Sequence, residues 1–151
     1  MSAPGNDMRE LIAFTSGGQE FCVDVTAVRE IRGWTPATPL PHSPGYVRGV
    51  INLRGVVLPV MDMALRLGMK QTDPDQRHVI IVIQTGSQLI GLMVDSVSDI
   101  LAVPVADIQQ PPDIGHHMDR DFVQGIIPID DRMVSLIQLS ALFGFLESEA
   151  A

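Results

Sequence analysis

The chain contains one cysteine and no apolar run long enough to cross a membrane. Cys22 is the single cysteine among 151 residues, so no disulfide can form within the chain, which fits a reducing compartment. The apolar run at 79–83, VIIVI, is far shorter than the roughly 18 residues that a spanning helix needs. The start, MSAPGNDMRE, lacks the basic and apolar stretches of a signal peptide. We therefore expect a cytoplasmic protein without direct membrane insertion.

Basic and aromatic residues are also scarce. Ten Lys and Arg stand against eighteen Asp and Glu, giving a net charge of −8 that repels a phosphate backbone. Aromatic residues make up 5% of the chain, too few for a platform on which bases stack. A small nucleic-acid-binding barrel stays open as an alternative function, but charge and composition both disfavour it.

The sequence motifs of common enzyme sites are missing. None of GxxxxGK[ST], GxGxxG, GxSxG or HExxH occurs. An aspartic-protease-like duplication would need DTG or DSG, whereas residues 84–87 read QTGS. Cys22 lies in the alternating run FCVDV with no evident base nearby, so we interpret it as a buried thiol. We predict a protein without catalytic residues or a cofactor.

One loop at 109–121 carries residues that could suggest a metal: His116, His117, Asp119 and Asp121. Adjacent histidines in an extended segment point to opposite sides, so they do not converge on one ion. We interpret the loop as a solvated surface segment and predict no metal site.

The chain repeats itself. Residues 46–68 align with 122–144 without a gap at an offset of 76, and twelve of the 23 positions are apolar in both copies, where unrelated sequences of this composition would give roughly five. Residues 19–31 match 88–100 at an offset of 69. Two matches in the same order indicate an internal duplication, with repeats at approximately 11–68 and 80–144.

Each repeat is predicted to consist mainly of strands. Apolar runs at 11–15 and 78–84 lead into the glycine-containing turns SGGQ and TGSQ, which is typical of hairpins. A second hairpin turns at Arg54-Gly55 in one copy and at Asp130-Asp131 in the other. We predict an all-β fold with minor helix: two small barrels of about five strands each, packed face to face over a shared core.

Arg54 places a positive charge between two strand-like runs, VINL and VVLPV. Its counterpart in the second repeat is Asp130, so the turn itself does not require a cation. We interpret Arg54 as an exposed side chain available for recognition, with Glu30 as its candidate partner, because such a pair can orient a contact while adding little stability.

Four stretches together resemble the CheW family of bacterial chemotaxis coupling proteins: QEFCVDVTAVREIRG, TPLPHSPGYVRGVINLRGVVLPVMDM, IGLMVDSVSDILAV and DIQQPPDI. The resemblance covers residues 8–146 as a single domain and leaves 1–7 and 147–151 as flexible tails. It implies two intertwined five-stranded SH3-like β-barrels and a short C-terminal helix. It also implies a scaffold of the chemotaxis signalling array that links the cytoplasmic tips of methyl-accepting chemoreceptors to the regulatory domain of the histidine kinase CheA.

The resemblance also implies site residues. Those matched to receptor contact, with the last two forming an apolar floor, are Val28, Glu30, Gly49, Arg54, Val79 and Val97. An apolar groove between the barrels would hold a receptor helix, with Glu30 and Arg54 at its rim. Those matched to kinase contact are Gly33, Gln109, Ile114 and Gly125. Gln109 and Ile114 stand where relatives often carry a basic and an aromatic residue, which predicts an altered ring-forming contact.

Overall fold

The computed structural model describes residues 7–70, 72–111 and 122–143. This part of the chain forms ten strands: β1 (Met8–Ser16), β2 (Gln19–Asp24), β3 (Val28–Gly33), β4 (Val47–Leu53), β5 (Val56–Asp62), β6 (Val79–Thr85), β7 (Gln88–Val94), β8 (Ser96–Pro104), β9 (Val123–Ile129) and β10 (Arg132–Ile137). Two short helices follow β5 and β10: α1 (Met63–Arg66) and α2 (Leu139–Leu142). The all-β prediction is confirmed. No helix within these residues is long and apolar enough to span a membrane.

The strands form two five-stranded sheets with related topology. Their orders are β8-β1-β2-β10-β9 and β3-β6-β7-β5-β4. Each strand has a counterpart five strands away in the chain: β8 corresponds to β3, β1 to β6, β2 to β7, β10 to β5 and β9 to β4. The two sheets therefore have the same order of equivalent strands. The β1–β2 hairpin of the first repeat lies among strands of the second, and the β6–β7 hairpin lies among strands of the first. The predicted intertwining is therefore confirmed, and it follows from exchange of one hairpin between the repeats.

The chain divides into two compact units that follow the sheets rather than the repeats. Unit 1 takes its residues from Met1–Phe14, Gln19–Val25 and Ser98–Ala151, and unit 2 from Thr15–Gly18 and Thr26–Val97. The core of unit 1 is Leu11, Ala13, Cys22, Val103, Ile127, Val134 and Leu136. The core of unit 2 is Ile51, Leu53, Leu58, Val60, Ile80, Val82 and Met93. Each unit thus buries apolar side chains of its own, and that burial is its main stabilising term.

The hairpin turns at 54–55 and 130–131 share a backbone feature. Arg54 and Asp130 have φ angles of 51° and 54°, unusual values for residues other than glycine. Gly55 continues the turn at φ 89°, and its N–H donates to Asn52 Oδ1 at 2.8 Å. Since an arginine and an aspartate adopt the same left-handed conformation, the turn geometry does not explain the charge at position 54.

The barrels are not fully closed by strand pairing, which refines the predicted architecture. β3 and β4 are the outer strands of one sheet, as β8 and β9 are of the other. In each sheet, one isolated bridge joins the segment after one outer strand to the other outer strand: Thr38 pairs with β4, and Gln109 pairs with β9. Thr38 and Val50 exchange two backbone hydrogen bonds of 2.8 Å, and Gln109 and Ile126 exchange two of 2.9 and 2.7 Å.

Both bridges require a small residue beside them. A Cβ on Gly49 would lie 2.2 Å from the carbonyl oxygen of Thr38, and the φ of Gly49 is 141°. A Cβ on Gly125 would lie 2.5 Å from Cγ2 of Ile108 and 3.1 Å from the Gln109 oxygen. The glycine shared by the two repeats therefore serves one purpose: it lets the segment after β3 or β8 pair with the opposite edge of its sheet.

We expect Gly49→Ala to destabilise the protein more than Gly125→Ala does. The alanine at 49 meets backbone atoms and an unfavourable φ, which together cost about 3 kcal/mol or more. The alanine at 125 meets the end of an isoleucine side chain that can shift, at about 1–2 kcal/mol. Urea denaturation measures both. Gly33→Ala is the control, since nothing lies within 4 Å of its added Cβ; equal midpoints for Gly49→Ala and Gly33→Ala would contradict the closure argument.

Candidate functional site

All six residues predicted for receptor contact belong to unit 2, on four strands and one turn: Val28, Glu30, Gly49, Arg54, Val79 and Val97. The structure brings two of them together, because Nη2 of Arg54 donates a hydrogen bond to Oε1 of Glu30. Glu30 lies on β3 and Arg54 in the β4–β5 turn. The ion pair proposed from the sequence is therefore present.

This pair joins opposite edges of the five-stranded sheet. β3 and β4 are separated by four strand spacings of about 4.8 Å, or about 19 Å across a flat sheet. An arginine side chain cannot span that distance, so the contact forms because the sheet twists and curls its edges together. The bridge between Thr38 and Val50 also holds these two edges of the sheet close to each other.

The electrostatics of the pair favour the charged forms. The hydrogen bond from Arg54, rather than longer-range charge, is the main reason that the pKa of Glu30 is lowered, and the same bond raises the pKa of Arg54. Nη1 of Arg32 lies 3.9 Å from the second carboxylate oxygen of Glu30. Glu30 is therefore an anion at neutral pH, positioned by two arginines.

The two partners differ in exposure. The Arg54 side chain is 72% exposed and that of Glu30 is 28% exposed. A guanidinium has five N–H donors in a planar fork, and the contact with Glu30 uses one of its nitrogens. Glu30 thus acts as a support that orients Arg54, while the remaining donors are available to a carboxylate on a partner.

Exposed apolar side chains stand next to the pair along the chain. Ile31 follows Glu30 on β3, and Val56 and Val57 follow the turn on β5; all three are exposed. None of the three was predicted from the sequence as a site residue. The signal was present, because the three consecutive apolar residues at the start of VVLPV break the alternation of a strand with one buried face.

The other predicted receptor residues are less closely grouped. Gly49 is buried at the closing bridge, so it can affect a contact only through the backbone. Val28 and Val97 are half-buried. Val79 pairs with Gly33, whereas Glu30 pairs with Val82. Val79 therefore lies three residues, or about 10 Å, along β6 from Val82, the residue opposite Glu30.

The four residues predicted for kinase contact fall into three groups. Gln109 and Gly125 lie together at the closing bridge of unit 1, Gln109 exposed and Gly125 buried. Gly33 is exposed at the end of β3 in unit 2. Ile114 lies outside the described residues, as do the histidines and aspartates of the loop at 116–121.

Chemistry beyond recognition is not organised in the described part of the chain. Burial raises the pKa of the Cys22 thiol to about 12, which suppresses the nucleophilic thiolate. No group of three or more His, Cys, Asp or Glu that could hold a metal occurs among these residues.

The buried carboxylate of Asp62 serves the architecture. It caps α1 through the N–H of Leu65 at 3.3 Å, and it accepts from the N–H and hydroxyl of Thr72 at 2.9 and 2.8 Å. These hydrogen bonds satisfy both carboxylate oxygens of Asp62. Because they anchor the segment after α1, the role of Asp62 is structural.

The chain as a whole is similar to known proteins. The model of the CheW-like domain matches residues 10–147. A probable chemotaxis protein CheW from Rhizobium etli is 61% identical over 143 residues, covering 95% of this chain and 92% of that protein. The chemotaxis protein CheW of Rhizobium meliloti is 58% identical, covering 97% of this chain and 94% of that protein. The crystal structure of the scaffolding protein TtCheW from Thermoanaerobacter tengcongensis superposes with a TM-score of 0.83 at 30% identity, covering 91% and 93% of the two chains.

We expect the contribution of the Glu30–Arg54 pair to stability to disappear in acid. Because the pKa of Glu30 is lowered from 4.5 in the folded protein, the contribution is full above about pH 4.5 and is lost as the pH falls through the folded value. Arg54→Asn removes the cation and tolerates the positive φ. Its loss of urea stability relative to wild type should shrink below pH 4.5.

The control for this measurement is Arg29→Gln, which replaces an exposed arginine on β3, the strand that carries Glu30. Its effect on stability should not change across that pH range. A deficit for Arg54→Asn that is the same at pH 7 and pH 3 would contradict the pairing.

We expect Cys22 to be inert toward thiol reagents in the folded protein. Its side chain is fully buried and its pKa is about 12, so dithionitrobenzoate at pH 8 should release no chromophore until denaturant is added. One equivalent per chain should then react, since Cys22 is the single cysteine. Rapid reaction of the native protein would show that the thiol is accessible.

Proposed function

The chain belongs to the CheW-like domain family, and we propose that it is a non-enzymatic cytoplasmic adaptor that couples methyl-accepting chemoreceptors to the histidine kinase CheA. Family membership rests on the match over residues 10–147 and on relatives named chemotaxis protein CheW. The solved relative is described as a scaffolding protein. In this proposal the protein holds receptor and kinase in one array, so that ligand binding by the receptor controls kinase activity.

The observation that carries the receptor contact is the exposed Arg54 supported by Glu30. A carboxylate on the receptor tip would accept hydrogen bonds from the free side of the guanidinium. Apolar side chains of the same receptor helix would cover the exposed Ile31, Val56 and Val57. The apolar area supplies binding energy, and the charged pair sets orientation and excludes helices with a cation at that place.

The kinase contact in this proposal uses the two exposed predicted residues. Gly33 ends an outer strand, and a partner backbone can approach it closely because nothing lies within 4 Å of its missing side chain. Gln109 keeps its backbone in the closing bridge while its side chain is exposed. An uncharged amide at 109 contributes hydrogen bonds rather than an ion pair, which favours a weak, reversible contact.

We expect Arg54→Asp to weaken receptor binding by at least about tenfold while the protein stays folded. Aspartate tolerates the left-handed φ of the turn, as Asp130 does, but it replaces the cation with an anion beside Glu30. Co-sedimentation with receptor-containing vesicles measures binding, and thermal melting checks the fold. The matched control is Asp130→Arg, a charge reversal at the equivalent turn of unit 1, which should bind receptor as wild type does.

The same vesicles with purified CheA test the function as a whole. Kinase autophosphorylation should rise when the protein is added and should fall again on addition of receptor ligand. Identical kinase activity with and without the protein would refute the adaptor function. Equal receptor binding by Arg54→Asp and wild type would refute only the assignment of the receptor site.

A further inference from the structure

Unit 1 exposes two large apolar side chains next to acidic ones. Ile100 on β8 is 60% exposed and Met133 on β10 is 62% exposed. Two exposed apolar side chains alone need no explanation, so the charges around them decide what the surface can bind. We call the set Asp99, Ile100, Asp130, Asp131 and Met133 the acidic surface of unit 1. None of these residues is among those predicted for receptor or kinase contact.

Unit 2 shows which group fits at the equivalent place. Its strands have the same order as their counterparts in unit 1, and the φ of Arg54 is 51° where that of Asp130 is 54°. The repeat alignment matches Glu30 with Asp99 and Arg54 with Asp130. In unit 2 the turn supplies the guanidinium that contacts the carboxylate of the outer strand. The equivalent turn of unit 1 supplies a second carboxylate instead.

The carboxylates of this surface are not neutralised within the described residues. Asp99, Asp130 and Asp131 are all exposed, and no basic side chain in the described part of the chain forms an ion pair with any of them. Arg132, which follows Asp131, donates instead to Glu20 at 2.8 Å. Grouped anions without a cation attract one from another molecule.

We propose that the acidic surface of unit 1 binds a segment of a partner protein that presents an arginine between apolar side chains. The guanidinium takes the place that Arg54 has in unit 2, where its planar fork donates to the carboxylates of Asp99 and Asp130. The apolar neighbours of the arginine cover Ile100 and Met133. Charge complementarity selects this occupant, because an acidic segment would be repelled and a neutral one would leave the carboxylates without a cation. This inference goes beyond the proposed function, as it needs neither receptor nor kinase.

Nuclear magnetic resonance of the isotope-labelled full-length protein locates the contact. The probe is the blocked peptide acetyl-AVRVA-amide. Two signals report on the surface: the backbone amide of Ile100, whose N–H donates to Oδ1 of Asp99 at 2.8 Å, and the methyl group of Met133. We expect both signals to shift in a saturable manner as the peptide is added.

Two matched peptides separate charge from apolar contact. The peptide AVQVA removes the cation and should bind at least about tenfold more weakly than AVRVA, because charge-assisted hydrogen bonds are lost. The peptide AARAA keeps the cation and removes the larger apolar flanks. It should also bind more weakly than AVRVA, since it covers less apolar surface.

Two variants assign the charge contact to named residues. Asp130→Asn keeps a residue that tolerates the left-handed φ of the turn, and Asp99→Asn keeps an oxygen that can accept from the N–H of Ile100. Each should bind AVRVA about three- to tenfold more weakly than wild type. Asp73→Asn, which removes an exposed carboxylate of unit 2, should bind as wild type does. Thermal melting verifies folding, and if one of the first two variants is unfolded the other decides.

Several results would overturn the arginine contact. These are equal binding of AVRVA and AVQVA, no saturable shift at Ile100 and Met133, and unchanged binding by both Asp99→Asn and Asp130→Asn. The same shifts on raising the protein concentration without peptide would also overturn it, because the occupant would then be a second copy of this chain. Since the assay contains no receptor or kinase, failure here leaves the adaptor function standing, and failure of the adaptor function leaves this result standing.

Discussion

The closure of each sheet by a two-hydrogen-bond bridge is the constraint on which the site depends. In unit 2, the segment after β3 returns to the far edge of the sheet and pairs Thr38 with Val50. Gly49 makes this approach possible, since any side chain there would overlap the Thr38 carbonyl. Once the edges are drawn together, Glu30 on one edge reaches the turn that carries Arg54 on the other. A hydrogen-bonding constraint of the backbone thus precedes the contact between Glu30 and Arg54.

Much of the fold could be predicted from the sequence because it rests on local signals that occur twice. Strand alternation, glycine-containing turns and two aligned segments are sufficient to predict two related β units. The exchange of hairpins between the repeats could not be derived from these signals, since a strand pattern does not identify its neighbours in a sheet; the family resemblance supplied it. The shared glycine at 49 and 125 was visible as an identity between the repeats, but its reason is a contact with residues 38 and 109, which are distant in sequence.

The candidate site also contains residues that could be predicted from the sequence and residues that could not. The Glu30–Arg54 pair could be predicted because the equivalent turn carries Asp130, which indicates that the cation at 54 serves recognition and not the turn, and Glu30 offers an opposite charge. The exposure of Val56 and Val57 was only weakly signalled: three consecutive apolar residues break the strand alternation, but apolar residues at the start of a strand are usually buried, and here they flank a turn that extends into solvent.

The duplication explains how one fold can present two different surfaces. Ile31 and Ile100 are equivalent in the repeats, as are Val57 and Met133, and all four are exposed. The first residue of the turn that accompanies each apolar pair has a left-handed backbone, with a cation at Arg54 and an anion at Asp130. The turns differ in more than one side chain, because Gly55 corresponds to Asp131 and Val56 to Arg132, and different charges around equivalent turns disfavour a shared partner. Backbone closure is shared by the two copies, whereas the charges of the turn residues differ between them.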